Sequence, residues 1–163
     1  MSVAIGTKKT LGRAEQLSFP ELGFFDVPAR IDTGAKTSAI WASKITFQND
    51  MLTAVLFGEG NPFFTGEAIP FPDFDTTVVS TSTGETQQRY KVRLLVRLKG
   101  KKVRAWFTLA DRSTQVYPVL IGRNILLGKF IVDVKKGRIL KDEEQQRTQT
   151  LRNNTGHVDE ENI

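Results

Sequence analysis

Apolar and polar residues alternate most regularly between Lys91 and Leu109. Val92, Leu94, Val96 and Leu98 are interleaved with Lys91, Arg93, Leu95, Arg97 and Lys99. After Gly100-Lys101, Val103, Ala105, Phe107 and Leu109 alternate with Arg104, Trp106 and Thr108. Period two on both arms, with a glycine between them, predicts a β-hairpin with one apolar and one basic face. The remaining signals are shorter. Strands are expected over Leu11–Leu17, Phe24–Ile31, Ile40–Phe47 continuing through Met51–Phe57, Thr77–Thr83, Val116–Ile121 and Phe130–Val134. Pro28 marks an edge or a bulge in the second of these. Asn124–Leu127 opens a short helix that Gly128 stops. The chain is therefore expected to be mainly β. Residues 1–10 are expected to fray. From Lys141 onward polarity is high and periodicity absent, so residues 141–163 read as a disordered tail after a domain at 11–140.

Gly58–Asp75 differs from its surroundings. Its 18 residues, GEGNPFFTGEAIPFPDFD, hold three Gly, three Pro and four Phe. Proline and glycine exclude a long helix or a central strand. The phenylalanines need cover, which leaves two readings. Either Phe63 and Phe64 belong to a lid that closes over a substrate, or the segment plugs the core of its own fold.

Composition narrows the class. A chain of 163 residues with 39% hydrophobic positions and eleven phenylalanines can bury one domain core. With no cysteine, disulfides and thiol chemistry are excluded. No apolar h-region or membrane-length run is present, so a cytoplasmic protein without a membrane partner is expected. The net charge of +5 is uneven: residues 141–163 hold three basic and six acidic side chains, which leaves +8 on residues 1–140. Seven Lys and Arg, and no acid, fall in residues 91–104, which makes the hairpin the basic footprint of the chain. It is either a solvated face or a surface for an acidic partner.

Arg30–Ala42, RIDTGAKTSAIWA, carries the candidate chemistry. Asp32-Thr33-Gly34 sets a carboxylate, a hydroxyl and a glycine in a row after an apolar lead-in. An acid on a rigid loop, a hydroxyl that bonds back into it and a glycine that admits backbone beside a catalytic water suit an aspartic peptidase. The same tripeptide is also ordinary turn chemistry. Gly34-Ala35-Lys36-Thr37 fails as a phosphate loop, since Ala35 and Arg30 stand where glycines are required. The one histidine, His157, lies in the polar tail, so neither a zinc site nor a histidine triad is expected. No metal and no cofactor is expected.

Val119–Leu126, VLIGRNIL, adds two apolar residues and Gly122 before the short helix. DTGA followed about ninety residues later by Leu-Ile-Gly-Arg-Asn resembles the retropepsins, the single-lobe aspartic peptidases. More closely, Ala29–Ala39, Phe107–Ser113, Tyr117–Asn124 and Phe130–Val134 resemble the bacterial retropepsin-like family often labelled "ATP-dependent zinc protease", whose members occur beside glutamate ligases of the RimK type. The resemblance covers about Leu11 to Leu140. It implies a closed β-barrel with one short helix after the Leu-Ile-Gly segment. It also implies that Asp32 is catalytic, that Thr33 braces two loops together and that Gly34 lines the cleft. Ile121, Gly122 and Arg123 would support the site. Ala35, Lys36, Phe63, Phe64, Arg97 and Arg112 are the candidate substrate-binding residues.

Such chemistry needs two carboxyl groups sharing a proton. The chain has one DTG, so the retropepsin solution is a homodimer with Asp32 from each subunit on a two-fold axis. A second acid of the same chain is the alternative. Retroviral enzymes place an acid after DTGA to pair with the arginine of the Ile-Gly-Arg segment. Lys36 stands there instead, which leaves Asp111 and Asp133 as candidate partners of Arg123. The expected substrate is a peptide or protein, acidic or glutamate-rich on the implied ligase neighbourhood. The competing class is a non-catalytic module binding acidic peptide or nucleic acid through residues 91–104.

Overall fold

The computed structural model describes residues 7–80, 82–136 and 145–153. Eleven strands and a one-turn helix follow one another as β1 (Lys9–Leu11), β2 (Ala14–Phe19), β3 (Phe24–Ile31), β4 (Ser38–Gln48), β5 (Met51–Leu56), β6 (Ala68–Phe71), β7 (Phe74–Ser80), β8 (Thr86–Leu98), β9 (Lys101–Ala110), β10 (Val119–Ile121), α1 (Arg123–Leu126) and β11 (Phe130–Val132). A second helix, α2, covers residues 145–153.

The β8–β9 hairpin follows its alternation. Val92, Val96 and Leu98 are fully buried and Arg93 and Arg97 are exposed. Its turn is Lys99-Gly100, both left-handed, which matches the twist of the flanking strands. Asn49-Asp50 turns β4 into β5 in the same way.

Six strands close a ring in the order β3, β2, β8, β9, β4, β10. The last strand closes it twice over. β10 runs parallel to β3, with Ile121 opposite Ile31, and antiparallel to β4, with Leu120 opposite Ala39. The chain between β3 and β4 is therefore a loop straddled by β10, and that loop holds Asp32. Phe19, Phe107, Leu17, Leu109, Ile40 and Ile121 fill the interior, with the Phe19 and Phe107 rings edge to face at 5.5 Å.

Two segments depart from the sequence pattern. Within Gly58–Asp75, β6 pairs with β5 as an edge strand, and Phe71 is buried. Phe63 and Phe64 pack against the core, Phe63 lying 5.7 Å from the Phe57 ring. In this single chain Phe63 and Phe64 are partly buried, with the rest of each ring exposed. In the tail, α2 forms although its sequence has no apolar stripe. It is held by contacts with the barrel: the Arg147 guanidinium lies 6.0 Å over the Trp41 ring and donates to the Ser113 carbonyl at 2.7 Å. The expectations for residues 1–6, 137–144 and 154–163, including His157, lie outside the described residues. No helix among the described residues is long and apolar enough to cross a membrane.

Candidate active site

Asp32 leaves the end of β3 held at both sides. Its N–H donates to the Ile121 carbonyl at 2.9 Å, extending the β3–β10 ladder by one bond. Its Oδ1 accepts the Gly34 N–H at 2.9 Å, which folds the loop back onto the carboxylate. A Cβ on Gly34 would lie 3.2 Å from that oxygen, so a side chain there would crowd the acid. Asp32 is half-buried, and Thr33 and Gly34 are exposed at the surface of this single chain.

The segment after β10 locks the loop from below. Arg123 and Asn124 donate their backbone N–H groups to the carbonyls of Ala35 at 2.8 Å and Lys36 at 3.2 Å. Gly122 has to be a glycine, since a Cβ would meet the Thr37 carbonyl oxygen at 2.4 Å and the Ala35 oxygen at 2.9 Å. The Gly122 N–H donates to Ser38 Oγ at 3.0 Å, and that hydroxyl donates to Asn124 Oδ1 at 2.8 Å. Asn124 Nδ2 donates to the Trp106 carbonyl at 2.9 Å, and Thr108 Oγ1 to the Ser38 carbonyl at 3.3 Å. A fully buried serine thus ties the loop, β10, α1 and β9 together.

Arg123 does not pair with Asp111 or Asp133. Its Nη1 donates to the carbonyl oxygens of Thr33 at 3.1 Å and Gly34 at 3.0 Å, holding the back of the DTG turn. The two acids serve their own turns instead. Asp111 Oδ1 accepts the Ser113 N–H and Asp133 Oδ1 accepts the Lys135 N–H. The bonds from Ser113 hold the Asp111 carboxyl below its usual range. Local turn chemistry outcompetes a distant guanidinium, because the partner N–H is already within reach.

Arg112 comes to the site and Arg97 does not. The Arg112 Nε donates to the Tyr117 carbonyl at 2.9 Å, fixing the side chain across its own loop. Burial lowers its pKa, and the charges of Arg30 and Arg89 lower it further, against an opposing pull from Asp32. The Arg112 guanidinium thus feels the charges of Arg30, Asp32 and Arg89. Arg30 sits on β3 opposite Leu120, two residues before the acid. Arg89 comes from the far arm of the β7–β8 hairpin, opposite Thr77. Neither had a local sequence signal, nor did Ser38, although Ser38 and Asn124 lie inside the segments that flank the loop.

Before Lys91, β8 pairs with β7 alone, so Thr76–Ser80 and Thr86–Tyr90 form a two-stranded arm. Its root is packed: the Phe74 ring lies 5.6 Å and the Tyr90 ring 6.1 Å from Phe47 on β4. Arg97 lies at the other end of β8, opposite Ser18 of β2 and Lys102 of β9. Much of the hairpin's charge is engaged within the fold. Arg104 pairs with Glu21, Lys99 lies 3.9 Å from Glu15, and Lys91 and Arg93 lie over Trp106. Among the described residues no cluster of three metal-ligating acids or histidines occurs.

The residues that build this loop and barrel lie within the stretch that a family model matches. The model of the RimB-like family, described as retropepsin-like aspartic endopeptidase RimB, matches residues 10–143. The chain belongs to this family. Among curated proteins it is 35% identical over 131 residues to a probable alpha-L-glutamate ligase of Desulfotalea psychrophila, covering 77% of this chain and 28% of that protein. It is 29% identical over 149 residues to a protein of the same description from Parasynechococcus marenigrum, covering 88% of this chain and 32% of the relative. The chain thus spans about a third or less of the curated relatives it matches. A crystal structure of a Legionella pneumophila protein with unknown function superposes with a TM-score of 0.58 at 21% identity, over 80% of this chain and 96% of that one. That likeness concerns the fold of this RimB-like chain.

Proposed function

We propose that this RimB-like chain is an aspartic endopeptidase whose water is activated between the Asp32 carboxyls of two copies, and that it acts on acidic, glutamate-rich chains. The observation that carries the reading is the Asp32 loop. It is braced from behind by Arg123, Gly122 and Ser38, while Thr33 and Gly34 are left exposed on the side where a second loop could meet them. Two carboxyls about 3 Å apart cannot both ionise, so one takes a proton from the water and the other donates to the substrate carbonyl.

The substrate class rests on Arg112. Burial and the charges of Arg30 and Arg89 disfavour the Arg112 cation while Asp32 favours it, and a glutamate side chain would add a second anionic partner. The curated relatives described as probable glutamate ligases fit the same chemistry. The test is mass spectrometry of an acidic peptide library after incubation with wild type and Asp32→Asn. Cleavage by wild type alone, enriched at acidic residues, is the expected result; equal product with both proteins overturns it.

One observation favours a second reading. Arg97 and Lys102 stand directly opposite each other, both exposed, and like charges so placed are destabilising without an anion. Tight, salt-sensitive binding of a polyanion without any cleavage would favour the binding module.

A further inference from the structure

The loop 111–118, which presents Arg112, is fastened to α2 through a hydrogen bond of Arg147. Arg147 Nη2 donates to the Ser113 carbonyl at 2.7 Å, one residue beyond Arg112. Behind Arg147 stands Trp41, 5% exposed and fixed in place. The Trp41 N–H donates to the Pro118 carbonyl at 2.9 Å, and its ring packs so closely on Gly58 that a Cβ there would lie 2.4 Å away. The Arg147 guanidinium lies over that ring.

At its C-terminal end the loop is packed, with Tyr117 buried beside Val116 against Ala14. A cavity of 430 Å³ lies between it and α2, with Gln115, Tyr117 and Pro118 on the loop side and Gln146, Arg147 and Thr150 on the helix side. Open space behind a loop leaves it room to shift, so the polar tie at Ser113 matters more than it would in a filled core. Three further bonds are internal to the loop: Ser113 N–H to Asp111, Gln115 N–H to the Arg112 carbonyl and Arg112 Nε to the Tyr117 carbonyl. They hold its shape. Trp41 anchors its far end at Pro118, and Arg147 ties down the end that carries Arg112.

We propose that α2 is a strap that positions Arg112 toward the Asp32 site, with Arg147 as the positioning residue. It acts through the Ser113 carbonyl and sets the preference for acidic substrates. This rests on the reading of Arg112 as the receptor of an acidic side chain.

The test measures binding in an Asp32→Asn background, where turnover plays no part. A fluorescein-labelled hexaglutamate peptide and its hexaglutamine counterpart are titrated by anisotropy against the full chain. Arg112→Ala should weaken hexaglutamate binding about tenfold and leave hexaglutamine unchanged. Arg147→Ala should weaken hexaglutamate binding about three- to tenfold, also selectively, and Arg147→Lys should recover part of the loss. The double variant should bind no worse than Arg112→Ala alone, because both changes remove one interaction. An Arg147→Ala effect that falls equally on both peptides, or adds in full to Arg112→Ala, overturns the strap. Arg112→Ala without effect is a different result: it overturns the acidic-substrate reading on which the strap rests.

Discussion

At the residue scale, the site depends on groups that never touch a substrate. Ser38 Oγ accepts the buried Gly122 N–H and donates to Asn124, so Ser38→Ala leaves one donor and one acceptor short of a partner. A cost of about 1–3 kcal/mol in stability is expected, read as a lower midpoint in urea unfolding. Gly122→Ala should cost as much or more, because the new methyl meets backbone oxygens that cannot turn away. Wild-type stability in either variant would mean that the loop is held elsewhere. Ser38 was not legible as a site residue, since one serine in a strand has no pattern; only the meeting of β4 with β10 gives its hydroxyl two partners.

At the scale of elements, the β8–β9 hairpin was legible because period-two alternation is decided locally by which face meets the core. What its basic face does was not legible, because most of the groups that engage it come from distant segments: Glu15, Glu21 and Asp73, with Trp106 across the hairpin. Arg97 and Lys102 are the charges left facing each other. If they steer an acidic substrate, Arg97→Gln with Lys102→Gln should raise KM and flatten its dependence on salt. Unchanged kinetics across the salt range would make the face a solvated one. The helix α2 is the opposite case. Its sequence has no amphipathic period, and the contacts that place it include two of Arg147 that exist only once β4 and the loop 111–118 are folded.

At the scale of the whole molecule, one chain supplies one Asp32, and the proposed reaction needs two. Equal mixing of Asp32→Asn with wild-type subunits should therefore lower activity below half. With random exchange about one dimer in four carries both acids. Specific activity should also fall on dilution as dimers dissociate. Half activity, independent of concentration and with exchange verified separately, would point to a single-chain site.

The sequence by itself determined the mainly β architecture, the apolar face of the β8–β9 hairpin and the place of Asp32 after a strand, because alternation, glycine turns and the two short motifs are properties of neighbouring residues. The place of Gly122 beside the loop was implied only by the resemblance to retropepsins. The tertiary structure alone decided what Arg123 holds, which charges act on Arg112, and that Phe71 is buried while Phe63 and Phe64 pack against the core. Each of these depends on strands far apart in the chain closing into one barrel. Alternation fixes the face a side chain takes, but closure chooses the atoms it meets.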